Sequence, residues 1–111
     1  NDLVRNDILI YRFISSLVFY NSEYFREKIL ERAKSKTALK TIIIDARAIN
    51  YIDLTSINTL VDVIKDFNKK NVKIYFAGTL EKLQDKLTQV FKENNLDTNV
   101  FIPNIRSFFI H

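Results

Sequence analysis

Apolar and polar positions alternate from Ile8 to Phe13, placing Ile8, Ile10 and Arg12 on one side and Leu9, Tyr11 and Phe13 on the other. That period of two predicts a strand. Ser15 and Ser16 interrupt it, and Leu17 to Tyr20 reads as a second short strand joined to the first as an antiparallel pair. Asn21 has the character of a helix N-cap, with Glu23 in the first turn. Phe25, Ile29, Leu30 and Ala33 then recur at helical spacing and give that helix one apolar stripe. Within Leu39 to Asp45 lies the run Thr41-Ile42-Ile43-Ile44, which suits a central strand buried on both faces under helices. A second helix is expected from about Leu54 to Lys69, where Ile57, Leu60, Val61, Ile64 and Phe67 fit the i, i+3, i+4, i+7 template. Asn71 closes it, and Val72 to Phe76 is a strand. Gly78-Thr79 reads as a turn and cap before a third helix carrying Leu80, Leu83, Leu87, Val90 and Phe91. Asn94-Asn95 ends that helix, Val100 to Ile102 is a short strand, and Pro103-Asn104 opens a last helix with Ile105, Phe108 and Phe109.

The predicted order is β-β-α-β-α-β-α-β-α. This is an α/β domain with a mixed, mostly parallel sheet flanked by about four helices. Functional loops of such folds lie at the carboxyl ends of the parallel strands. Here those loops are residues 46–55 and 77–79.

Composition removes most chemistry. The chain has 111 residues, 47% apolar and 27% charged, which describes one globular domain rather than a disordered tail. Without cysteine there is no disulfide, thiolate metal site or cysteine nucleophile. The single histidine, His111, leaves no histidine metal cluster and no Ser-His-Asp triad. The single glycine, Gly78, leaves no Walker A loop or dinucleotide fingerprint. Asp45 and Asp53 make a carboxylate pair without base, nucleophile or metal set, so Asp45 is read as a strand-end residue capping a turn and no catalytic residue is assigned. No cofactor, metal or enzymatic activity is expected. No apolar stretch approaches the ~20 residues that span a bilayer. The start at Asn1 and the absence of methionine lead us to expect a domain, residues 1–111, belonging to a longer protein.

The net charge of +4 and the pI of about 9.4 invite a nucleic-acid reading. Interleaved acids oppose it, as in Arg26-Glu27-Lys28 and Glu31-Arg32. Two basic surpluses stand out, Arg32, Lys34, Lys36 and Lys40, and Lys65, Lys69, Lys70 and Lys73. Both read as solvated helix ends, where cations are favoured; the alternative is that a flanking membrane surface or an acidic partner uses either.

The segment Ile49-Asn50-Tyr51-Ile52-Asp53-Leu54-Thr55-Ser56 holds the remaining signal. By itself Asp53 caps a helix and Thr55 is a first-turn polar residue. Its neighbours add a resemblance. Leu17-Val18-Phe19-Tyr20-Asn21-Ser22-Glu23-Tyr24-Phe25, Ile42-Ile43-Ile44-Asp45 with Ile49-Asn50-Tyr51-Ile52-Asp53, and residues 72–78 together resemble the STAS domain. That module is shared by SulP-type sulfate and anion transporters and by anti-sigma factor antagonists. The first segment is similar to the transporter branch. The resemblance implies that Asp53 holds the family's acidic loop position and Thr55 the position phosphorylated in the antagonists. Ser56 stands where the family usually has glycine. It further implies a partner and regulatory loop of Asn50, Asp53, Thr55 and Ser56, with Thr55 as a candidate phosphorylation site; it does not establish that Thr55 is modified. A phosphate there would gain about 0.3–1 kcal/mol from the helix N-terminus.

The expected function is therefore a non-catalytic cytoplasmic regulatory and protein-interaction domain of a SulP-type sulfate or anion transporter, C-terminal to its membrane part. Its partners would be the membrane domain of the same transporter and cytoplasmic regulatory proteins, without nucleic acid or metal. The alternative is a free-standing anti-sigma factor antagonist switched by phosphorylation at Thr55. A third class is small-molecule binding, with an anion or nucleotide contacting Gly78 and Thr79.

Overall fold

The computed structural model describes residues 5–110, so Asn1 and His111 lie outside the described residues. Strands and helices alternate as β1 (Ile8–Arg12), α1 (Phe19–Lys34), β2 (Thr41–Asp45), α2 (Leu54–Lys69), β3 (Lys73–Ala77), α3 (Glu81–Glu93), β4 (Phe101–Ile102) and α4 (Arg106–Phe109). The strands form one sheet in the order β1-β2-β3-β4, and every pair is parallel. The α/β class and the four helices are as read from the sequence. The second strand is not. Leu17 makes only an isolated parallel bridge with Ile52, and the chain turns into α1 at Phe19. The cause is Asn21, which is the third residue of the helix rather than its cap. Its side-chain oxygen accepts from the Val18 amide at 2.9 Å, and its amide group donates to the Ser16 carbonyl at 3.0 Å. This closes the first turn upstream and overrides the strand preference of the aromatic pair at 19–20. With no second strand available, β1 pairs with β2 and the sheet contains no antiparallel step.

A constant crossover hand with sequential strand order puts α1, α2 and α3 on one face. There Leu9, Tyr11 and Phe13 of the first strand region meet Ile42, Ile44, Ile74 and Phe76, with Phe25, Ile29, Leu60, Ile64, Leu87 and Phe91 above them. Phe25 takes Tyr11 and Phe13 edge-on, at 5.9 and 5.5 Å, and Phe91 stacks on Phe101 at 6.0 Å. The other face carries a smaller cluster of Ile8, Ile43 and Ala77, covered by Ile105 and Phe108 of the α4 region. Helical cover is therefore unequal: three long helices on one side, one four-residue helix on the other. β2 is interior, and Ile42, Ile43 and Ile44 are fully buried. Each such side chain contributes roughly 1.5–3 kcal/mol.

Asn71 and Asn95 close α2 and α3 in the left-handed region, at φ 64° and 58°. Val72 donates to Phe67 O and Leu96 to Phe91 O, each at 2.9 or 2.8 Å, completing two Schellman ends with their apolar contacts.

Candidate functional site

The loop after β2 lies at the carboxyl end of the sheet and is pinned at several points. The Ala46 amide donates to Ala77 O at 2.9 Å, extending the ladder to β3, and Ile49 N donates to Ala46 O at 3.0 Å to close a turn. Leu17 N donates to Tyr51 O at 2.9 Å and Asp53 N to Leu17 O at 3.2 Å. Ile49 and Ile52 are buried beneath it. Between and beyond these anchors Tyr51 and Leu54 stand 55% and 72% exposed, and Ile14, after β1 at the same end of the sheet, 79%.

The four loop residues named from the sequence have different surroundings. Asn50 is exposed. Asp53 is the N-cap of α2, half-buried, with Oδ1 accepting from the Ser56 amide at 2.8 Å, so its carboxylate turns to the helix end. Thr55 is exposed in the first turn, and its carbonyl accepts from Thr59 Oγ1 at 3.2 Å. Ser56 is 0% exposed, and its hydroxyl has no partner among the described residues. It has helical backbone and no positive φ. What this position demands is a small side chain rather than a left-handed conformation. Asn50 and Thr55 are thus open to contact from outside, whereas Ser56 lies beneath the surface.

Gly78 does adopt a left-handed φ of 70°, and its amide donates to Ile102 O at 3.0 Å. Thr79 is buried with Oγ1 unpartnered among the described residues, while its carbonyl accepts from Gln84 Nε2 at 3.0 Å. The cap of α3 falls one residue later than read from the sequence, on Leu80, without a side-chain hydrogen bond. Gly78 and Thr79 are thus engaged within the fold.

The sequence reading missed a charged cluster beside this loop. Asp45, 2% exposed at the end of β2, accepts from Arg47 Nε at 3.0 Å, Arg47 Nη2 at 2.8 Å, the Arg47 amide at 3.3 Å and Arg12 Nε at 3.2 Å. The amide contact is the turn cap expected of Asp45. Arg47's hydrogen bonds, foremost among the causes, hold the Asp45 carboxyl below its ordinary value against the opposing effect of burial, and Asp45 in turn raises Arg47. The usable signal was register: Arg12 and Asp45 are direct partners at the ends of adjacent strands. Arg47 also fixes the single glycine, because its Cγ occupies the place where a Cβ on residue 78 would stand.

Among the described residues no group of three or more His, Cys, Asp and Glu is placed to hold a metal ion. No helix there is long and apolar enough to cross a membrane.

Comparison with known proteins accounts for this architecture. The STAS domain family matches residues 2–102. The chloride anion exchanger of Rattus norvegicus is 26% identical over 77 residues, 68% of this chain and 10% of the relative. Sulfate transporter 3.1 of Arabidopsis thaliana is 29% identical over 91 residues, 74% of this chain and 14% of the relative. The chain therefore spans only a small part of the transporters it matches. Among solved structures, the murine Solute Carrier 26 family member A9 anion transporter in the inward-facing state superposes with a TM-score of 0.83 at 23% identity, over 93% of this chain and 17% of that one. A proposed anti-sigma factor antagonist of Thermotoga maritima superposes with a TM-score of 0.76 at 15% identity, over 96% and 86%. The parallel sheet, the Asp53-capped helix and the match across residues 2–102 together establish that this chain belongs to the STAS domain family.

Proposed function

We propose that this chain is the non-catalytic, cytoplasmic regulatory and protein-contact domain of a SulP-type anion transporter, and that residues 50–56 form its contact surface. One observation carries this reading: a firmly anchored loop presents apolar side chains outward. Ile49 and Ile52 are buried while Tyr51 and Leu54, with Asn50 and Thr55 among them, face solvent. Scattered exposed apolar residues are ordinary. Two of them on a rigid base beside a helix N-terminus suit a partner surface. Matches to a chloride anion exchanger and a sulfate transporter support a transporter parent. The partners are then the membrane domain of that parent and cytoplasmic regulatory proteins, and transport itself belongs to the remainder of the parent.

The test is anion flux by the full-length protein at matched surface expression, beside thermal melts of the 111-residue chain. Leu54→Glu and Thr55→Glu should change flux several-fold while moving the melt little, because an acid in the first turn suits the helix dipole. Unchanged flux in both variants removes the regulatory role of the loop.

A second reading is a free-standing anti-sigma factor antagonist switched by phosphorylation at Thr55. The exposure of Thr55 in the first turn of α2 favours it, as does the fold shared with the Thermotoga protein. The reading frame upstream of Asn1 separates the two. Membrane spans there support the transporter, and a parent without them supports the antagonist.

A further inference from the structure

On the face of the sheet covered by α4, the carboxyl ends of β2 and β3 and the approach to α4 border an open cleft of about 280 Å³. Asp45, Arg47, Ala77, Asn104, Ile105 and Arg106 line it. Its charge is unbalanced. Asp45 is the one acid in the lining, and both Arg12 and Arg47 are bonded to it. One of those two positive charges stays uncompensated. Arg106, exposed and without an ion-pair partner among the described residues, adds another.

One of these cations is also held in place. Arg47 is tied to Asp45 through its amide, Nε and Nη2, and its stem lies against Gly78, where any side chain would collide. Asn104 accepts from the Ser107 amide at 2.8 Å through Oδ1, which orients its side-chain NH2 as a further donor. A structural ion pair needs one arginine; this lining and its edge hold three. Guanidinium groups match the oxygens of phosphate and sulfate. The excess of two positive charges is that of a dianion. A volume at the lower edge of the ~300–1,000 Å³ typical of ligand pockets suits a single such group rather than a whole nucleotide.

We propose that this cleft binds a tetrahedral oxyanion, phosphate or sulfate, between Arg47 and Arg106, with Arg12 neutralising Asp45 from behind. The proposal does not depend on a transporter parent.

The experiment is an NMR titration of the 111-residue chain at constant ionic strength with inorganic phosphate, sulfate and chloride. Amide shifts at Arg47, Ala77, Gly78, Arg106 and Ser107 should saturate with phosphate and sulfate and respond little to chloride. Arg106→Gln, an exposed change in a four-residue helix, should leave the melt unchanged and weaken binding about tenfold, the equivalent of one charge-assisted contact. Lys86→Gln, an exposed change on α3 across the sheet, should bind as the unaltered chain does. Methyl phosphate identifies the source: binding supports the site with esterified phosphate as its ligand, and exclusion supports it with the free ion. Shifts that rise linearly and spread over all basic residues overturn the proposal. So does an Arg106→Gln chain that binds phosphate as tightly as the unaltered one.

Discussion

Ser56 has the smallest side chain on the buried stripe of α2, and its hydroxyl finds no partner among the described residues. A buried hydroxyl without a hydrogen bond is a cost, so Ser56→Ala should be neutral or stabilising by up to about 1 kcal/mol. Ser56→Leu should destabilise by about 1–3 kcal/mol through overpacking. Chemical denaturation of the two variants measures both. Asp45 supplies the pH dependence at this scale. Its folded value lies below the ordinary 3.8, so its contribution is present above that value and is lost as pH falls through the lower folded one. Arg47→Gln should flatten the acid limb of a stability-against-pH curve below about pH 4, and equal limbs would contradict the Asp45–Arg47 account. Asp53 as a cap was legible, because an acid before an apolar-periodic run is a local signal. The Arg12–Asp45–Arg47 cluster was not, since it depends on two strands meeting in register 33 residues apart.

At the scale of elements, α2 was readable because its apolar stripe, its Asp53 cap and its Asn71 stop agree. The Leu17–Tyr20 strand failed because a single side-chain amide, that of Asn21, decided where the helix began. Period-two patterning cannot see such a contact. The sheet separates its residues sharply by face and position. Ile43 is fully buried in the middle of β2, whereas Ile10 on the edge strand is partly exposed. Ile43→Ala should therefore cost about 2–5 kcal/mol, as a cavity in a packed interior does. Ile10→Ala should cost well under half of that. Comparable losses would mean that the α4 face is as well covered at its edge as at its centre.

The whole molecule is polarised along its strands. Helices run back against parallel strands, so the basic surpluses at the ends of α1 and α2 collect at the amino end of the sheet. Several of these cations are engaged there: Lys73 with Asp97 at 2.8 Å, Lys65 with Asn94 at 3.2 Å and Lys36 with the Arg5 carbonyl at 2.7 Å. From Asp45 to Asp62 three carboxylates face one guanidinium, a net −2 that leaves +6 for the remainder. The apolar tips Ile14, Tyr51 and Leu54 lie at the carboxyl end. The fold class and the location of this loop were legible from periodicity and strand order. The outward apolar tips were not, because alternation alone does not tell which of two apolar neighbours in a loop is anchored. A photo-reactive residue at position 51 of the full-length protein tests the central claim most directly, with position 69, at the opposite end, as its control. The account predicts a cross-link from position 51 to the membrane domain of the parent, or to a bound regulatory protein, and none from position 69. Equal cross-linking from both positions, or none from position 51, would contradict it.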